Sequence, residues 1–140
     1  MLDPSILQKI QASFAAQTMM QTLEAKLISA ACGQVHVESP IVAGARQQQG
    51  VGHAGLTFSL GDSAAGYAAL SVMPAEAEVM TAEIKINLLA PAKGQRLIAI
   101  GKVIKPGRRL VIVQADVYAV DNGVQSHIAL LQGTMVPVVL

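Results

Sequence analysis

Between Arg46 and Glu76 only one residue, Asp62, carries a full charge. The segment around it, "VGHAGLTFSLGDSAAGYAAL" at 51–70, is dominated by alanine, leucine and glycine and does not alternate. A half-buried strand requires apolar–polar alternation, so its failure predicts a helix over 53–72, ended by Pro74. A helix that is apolar on every side has to be enclosed by the rest of the chain. This one element dictates an architecture in which the others wrap around it.

The flanking segments supply the wrapping. "DPSILQKIQASFAAQTM" predicts a helix: Asp3 can cap it, Pro4 suits its first turn, and Ile6, Leu7, Ile10 and Phe14 recur at helical spacing. "LEAKLISAACGQVHVES" predicts two short strands joined by a turn at Cys32–Gly33, and "PIVAGARQQQGVG" a loop. After Pro74 four strands follow. The first, "AEVMTAEIKINLLAP", sets Ile84, Ile86 and Leu88 against Glu83, Lys85 and Asn87 on the opposite face. The turns "AKGQ", "PGR" and "DNG" separate the rest, and connections this short imply an antiparallel meander. The expectation is an α+β fold: an antiparallel sheet wrapped around a long central helix, with an N-terminal helix, as one domain over 1–140. Ser59, Gly61, Ser63, Ala64, Ala65, Gly66, Ala68 and Ala69 would let strands approach that helix closely. Plain alanine-rich helix packing accounts for them equally well.

Composition excludes several function classes. With 52% hydrophobic and 14% charged residues, disorder is excluded, and surplus apolar surface hints at an oligomer interface. A net charge of +1 without a basic block, two tyrosines, two phenylalanines and no tryptophan argue against nucleic-acid binding. "MLDPSILQKI" is not built like a signal peptide, and the uncharged stretch 122–140 is interrupted by polar residues and Pro137, against a membrane span. One cysteine, Cys32, allows no intrachain disulfide and is expected to be an inert structural thiol. Cytoplasmic location is the expectation. No pair of His, Cys or carboxylate residues has metal-ligand spacing, so no metal site is expected.

An unpaired carboxylate on an enclosed helix is costly, so Asp62 should be paired, protonated or functional. It can face solvent or meet a lysine. It can also act chemically, because "GVGHAG" directly precedes the helix. Free N–H groups at a helix start stabilise a developing negative charge, and acyl transfer needs such a site beside a base or nucleophile. Ala54 and Gly55 would offer the donors. Asp62 follows eight residues after Ala54, about 12 Å along a helix, too far for one carbonyl to meet both in the same chain. Joint action would require a second copy of the helix, hence a symmetric dimer.

"HAGLTFSLGD" resembles the His-Gly-Gly-x-x-x-x-Leu-x-Asp motif of PaaI-type acyl-CoA thioesterases of the hotdog superfamily, which also contains 4-hydroxybenzoyl-CoA thioesterase. His53, Gly55, Leu60 and Asp62 match, Ala54 stands at the first glycine, and Gly50 also fits. "TAEIKINLLAPAKG" and "KVIKPGRRL" resemble two further family segments in the correct order. The resemblance implies the hotdog fold, a homodimer or homotetramer with sites at the subunit interface, and hydrolysis of acyl-CoA without a cofactor beyond the coenzyme A of the substrate. It implies that Asp62 activates water or attacks the thioester, that the Ala54 N–H polarises the carbonyl, and that His53 shapes the loop. By chemistry alone His53 could itself be a general base. The family often has asparagine six residues before the histidine; this chain has Gln47, which offers the same amide. Counting ten back from Pro91 gives Thr81, which keeps a water-orienting hydroxyl.

Lys105, Gly107, Arg108 and Arg109 form a turn that reads either as solvated or as a clamp for coenzyme A phosphates. Tyr67 and Met80 read as core, with an acyl-pocket role as the alternative, and His36 and His127 as structural or surface residues. The acyl group can be aromatic, such as phenylacetyl or hydroxybenzoyl, or a short to medium chain. A serine hydrolase would need Gly-x-Ser-x-Gly, which is missing, and a hotdog dehydratase would pair histidine with an acid. A non-catalytic acyl-CoA-binding protein and a structural subunit are the rivals on the same fold.

Overall fold

The computed structural model describes residues 1–140. The elements are α1 (Pro4–Ala16), α2 (Thr18–Thr22), β1 (Lys26–Ala31), β2 (Gln34–Pro40), a 3-10 turn (Ala43–Ala45), α3 (Ala54–Leu70), β3 (Glu78–Leu88), β4 (Arg96–Pro106), β5 (Val111–Asp121) and β6 (Val124–Val138). All six strands form one antiparallel sheet that curves around α3, the hotdog architecture.

Eleven residues of α3 are buried, among them Leu60, Ala64, Ala65, Ala68 and Ala69. The small residues work as expected. A Cβ on Gly101 of β4 would collide with the α3 backbone at Ala64, so strand and helix touch main chain to main chain. Leu60 is fully buried, and truncating such a leucine typically costs about 2–5 kcal/mol.

The predicted N-terminal helix is divided. Gln17 leaves the helical conformation (ψ 101°) and its side chain turns towards Tyr67, so α1 ends at Ala16 and α2 is a separate short helix. Asp3 caps α1, accepting from the Ser5 N–H at 2.8 Å. Lys9 ties α1 to the segment between α3 and β3: it donates to the carbonyls of Ala75 and Ala77 and pairs with Glu78 at 3.4 Å. Gly33 makes the β1–β2 turn with φ +76°, and Cys32 is exposed in that turn rather than built into the core.

The meander is the main correction. The sheet order is β1-β2-β4-β5-β6-β3. Only β4, β5 and β6 form a meander. β2 occupies the free edge of β4, with Gln34 opposite Lys102, so β3 pairs with the other side of β6, Ile84 opposite Gly133. The outer side of β3 is therefore an unpaired sheet edge, and most of its residues are exposed.

Candidate active site

The start of α3 is positioned by a strapped loop. Arg46 donates to the carbonyls of Gly50 and Ile41 at 2.6 and 2.7 Å, and the Gly52 N–H donates to Ala92 O at 2.8 Å. Residues 47–51 close a turn in which Gly50 has φ +90°, a conformation that favours glycine. His53 is the N-cap, and its Nδ1 accepts the Gly55 N–H at 2.7 Å, which puts the ring proton on Nε2. The Leu56 and Thr57 N–H groups both turn to His53 O. The Ala54 N–H has no acceptor in the protein. The two free donors expected at 54–55 thus reduce to one. Gly55 has a local reason to be glycine, since a Cβ there would stand 2.9 Å from His53 Nδ1.

A cleft of about 620 Å³ opens in front of Ala54, walled by Leu88, Leu89, Ala90 and Pro91. Gln47 lines it. Its Oε1 accepts the Gln49 N–H, while its amide nitrogen makes only a long 3.4 Å contact to Gln49 Oε1. Thr57 lines the same cleft from within the core, 1% exposed, and sequence reasoning missed it. The available signal was its position three residues after Ala54 on one helical face.

Asp62 faces a different cleft, of about 300 Å³, on the adjoining stretch of α3. It is half-buried and has no basic partner within ion-pairing distance. The Thr81 hydroxyl donates to Asp62 Oδ1 at 2.7 Å, so β3 fixes the carboxylate directly. No lysine meets it. Tyr67, 5% exposed, does two things. Its ring packs on Phe14 with centroids 5.9 Å apart, and its hydroxyl enters the cleft, where it accepts from Gln17 Nε2 at 2.6 Å and lies 3.0 Å from Ser13 Oγ. Met80 is 53% exposed and belongs neither to the core nor to either cleft.

No residue lines both clefts. Lys105, Gly107, Arg108 and Arg109 lie farther still, at the β4–β5 turn beside residues 72–74, beyond the end of α3 and about 25 Å along its axis from Ala54. Gly107 is explained by the turn, because a Cβ would collide with Leu110 O. The three cations there form no ion pair within the chain. His36 pairs with Glu38 at 2.9 Å and His127 with Asp116 at 3.0 Å, both away from the clefts.

Residues 49–126, from the strapped loop into the start of β6, match the family described as the thioesterase superfamily. A Saccharolobus solfataricus protein named "Putative esterase" is 32% identical over 107 residues, covering 76% of either chain. The crystal structure of a thioesterase family protein from Silicibacter pomeroyi superposes with a TM-score of 0.94 at 39% identity, over 96% of this chain and 99% of that one. The PaaI protein of the E. coli phenylacetic acid degradation operon shares the fold, with a TM-score of 0.86 at 22% identity, over 99% and 96% of the two chains.

Proposed function

This chain belongs to the thioesterase superfamily, and from that premise we propose that it is an acyl-CoA thioesterase whose active sites are completed between two copies. One observation carries the reading. The two clefts border opposite ends of the same unpaired strand: Leu88 closes the Ala54 cleft, and Glu78, Val79 and Thr81 close the Asp62 cleft. An exposed strand edge is a template for pairing with another chain. Antiparallel pairing of β3 with its two-fold copy lays the end of one strand beside the start of the other, so the Ala54 cleft of one protomer faces the Asp62 cleft of its partner. The 12 Å that separates donor and carboxylate within a chain then ceases to matter.

In this reading the thioester carbonyl points at the Ala54 N–H, helped by the α3 dipole. As general base, Asp62 takes a proton from water, the resulting hydroxide adds to the carbonyl carbon, and the oxyanion collapses with expulsion of the coenzyme A thiolate, which takes up the proton. As nucleophile, Asp62 adds to the carbonyl carbon and expels the coenzyme A thiolate to give an acyl anhydride, which water then hydrolyses to the free acid and the restored carboxylate. Thr81 holds the carboxylate, the free Gln47 amide nitrogen positions water or thioester, and His53 acts by presenting Ala54. Lys105, Arg108 and Arg109 are the cations offered to the phosphates. The chemistry needs no metal or redox cofactor. A cytoplasmic setting accords with the single cysteine, and no helix is long and apolar enough to cross a membrane.

Thiol release from a panel of aromatic and aliphatic acyl-CoAs tests this, with Asp62→Asn beside the parent. Turnover that falls about 10²–10⁴-fold in the variant is expected. Tight binding without turnover, unchanged by the substitution, would instead identify a non-catalytic acyl-CoA-binding protein.

A further inference from the structure

Three small hydroxyl side chains are buried in the core: Ser39, Thr57 and Ser71. A hydroxyl taken out of water is unfavourable unless it finds a partner. Ser71 has two: it donates to Ala68 O at 2.6 Å and accepts the Gly33 N–H at 2.7 Å. Ser39 Oγ has none and is closed off from solvent altogether. Thr57 Oγ1 also makes no hydrogen bond in the protein, yet it is not closed off. The residue is 1% exposed, and that remnant belongs to the hydroxyl, in the Ala54 cleft.

A serine or threonine inside a helix can return its hydroxyl to the carbonyl four residues back. Thr22 does so with Thr18 O at 3.1 Å, and Ser59, on α3 itself, with Gly55 O at 2.7 Å. The carbonyl within reach of Thr57 is His53 O, which already receives the Leu56 N–H at 3.0 Å and the Thr57 N–H at 3.4 Å. Thr57 Oγ1 makes no bond to it. Valine has the same shape and would bury no polar group at this position. Helical side chains lean back toward the N-terminus. Thr57, about 4.5 Å along the axis from Ala54, therefore presents its hydroxyl over the turn that holds the Ala54 N–H. The cleft offers two unpaired donors on one helical turn, one from the backbone and one from a side chain.

We propose that Thr57 is a further catalytic residue, the second donor to the thioester oxyanion beside the Ala54 N–H. The inference rests on the hydrolase reading, which puts the carbonyl at Ala54. As the carbonyl carbon is attacked and its oxygen gains charge, Oγ1–H donates to that oxygen and keeps its proton throughout. The hydrogen bond weakens again when the oxyanion collapses and the thiolate leaves. Donors fixed before the reaction, beside the apolar wall of Leu88, Leu89 and Pro91, act where little water competes with them. The same hydroxyl destabilises the folded chain by itself, because nothing in the chain satisfies it.

The test is steady-state hydrolysis by Thr57→Val and Thr57→Ser beside the parent, on the acyl-CoA of the panel that the parent turns over fastest, with thermal unfolding of all three. Thr57→Val should lose about 10-fold or more in kcat with KM within about 2-fold, because the donor acts on charge present only in the transition state. Its thermal midpoint should match or exceed that of the parent, since valine removes an unpaired buried hydroxyl. Thr57→Ser retains the donor and should keep kcat within about 3-fold, although it gives up a buried methyl and with it some thermal stability. Activity and stability then move in opposite directions across the two variants, which a packing role would not produce. Parental kcat in Thr57→Val, equal losses in Thr57→Val and Thr57→Ser, or a loss confined to KM would overturn the inference and leave the hydrolase reading standing. No turnover of any acyl-CoA by the parent would overturn the hydrolase reading and this inference with it.

Discussion

The cleft at the start of α3 has an aliphatic wall at residues 88–92, faces glutamine amides and the His53 ring, and offers a backbone N–H; the cleft at its middle is walled by hydroxyls, an amide and carboxylates. The first can stabilise charge that develops on a substrate, and its one imidazole, His53, already uses its basic Nδ1 to accept the Gly55 N–H. The second holds a carboxylate fixed by the Thr81 hydroxyl. In the proposed reaction each contributes half of the site, and each touches a different end of the unpaired strand β3. In the proposed dimer the division of labour lies between copies of the chain, and the sheet edge is the place where the halves meet.

The sharpest way to break that comparison is to disable each cleft separately. Ala54→Pro removes the single free N–H and little else. Proline is well suited to the first helical position, and His53 already has the extended conformation that precedes proline (φ −65°, ψ 145°). This variant and Asp62→Asn should each lose about 10²-fold or more in kcat. Mixed and allowed to exchange subunits, the two inactive proteins should recover about a quarter of parental activity, since half the dimers are then mixed and one of their two sites is intact. Recovery near zero would place both groups of a site in one chain.

Thr81→Val sharpens the Asp62 side. Losing a hydrogen bond to a charged group should lower kcat by about 10-fold while leaving KM for coenzyme A esters nearly unchanged, read by steady-state kinetics. Gly101→Ala acts on neither cleft directly but on the seat of α3. The added methyl meets the Ala64 backbone, and overpacking of this kind should cost about 1–3 kcal/mol in denaturant unfolding. The smallest effect is expected from Asp3→Ala, which loosens α1 and so touches only the Asp62 side. The Ser5 hydroxyl, with the Ser5 N–H, holds the Asp3 carboxyl below its ordinary pKa. A lowered folded value stabilises above the ordinary carboxylate range and ceases to do so as pH falls through the folded value. The thermal midpoint of Asp3→Ala should therefore drop slightly at neutral pH, with the difference vanishing in acid.

Much of the chemistry was legible because its signals are local. The helix that begins at His53 and the lone carboxylate follow from spacing within twenty residues, whereas the capping role of His53 appears only in the structure. Thr81 was reached only by counting back along a resembling strand, and the expected water-orienting hydroxyl turned out to bond Asp62 itself. The donor expected at Gly55 failed because the cap that begins the helix uses it, a conflict visible only once the His53 ring is placed. Gln17 gave no signal of its own and Thr57 only its spacing of three from Ala54, since each owes its position in a cleft to packing against distant elements.

By itself the sequence determined the enclosed helix and the antiparallel strands, because capping, periodicity and turn chemistry act over a few residues. It could not determine which sheet edge β3 would take, because strand alternation specifies a face and not a neighbour. Only the tertiary structure decided that β3 lies outside β6, that Asp62 and Ala54 open into separate clefts, and that Ser13 of α1 and Gln17 just beyond it reach Tyr67. Those are contacts between segments far apart in the chain, settled by the competition of whole elements for one core.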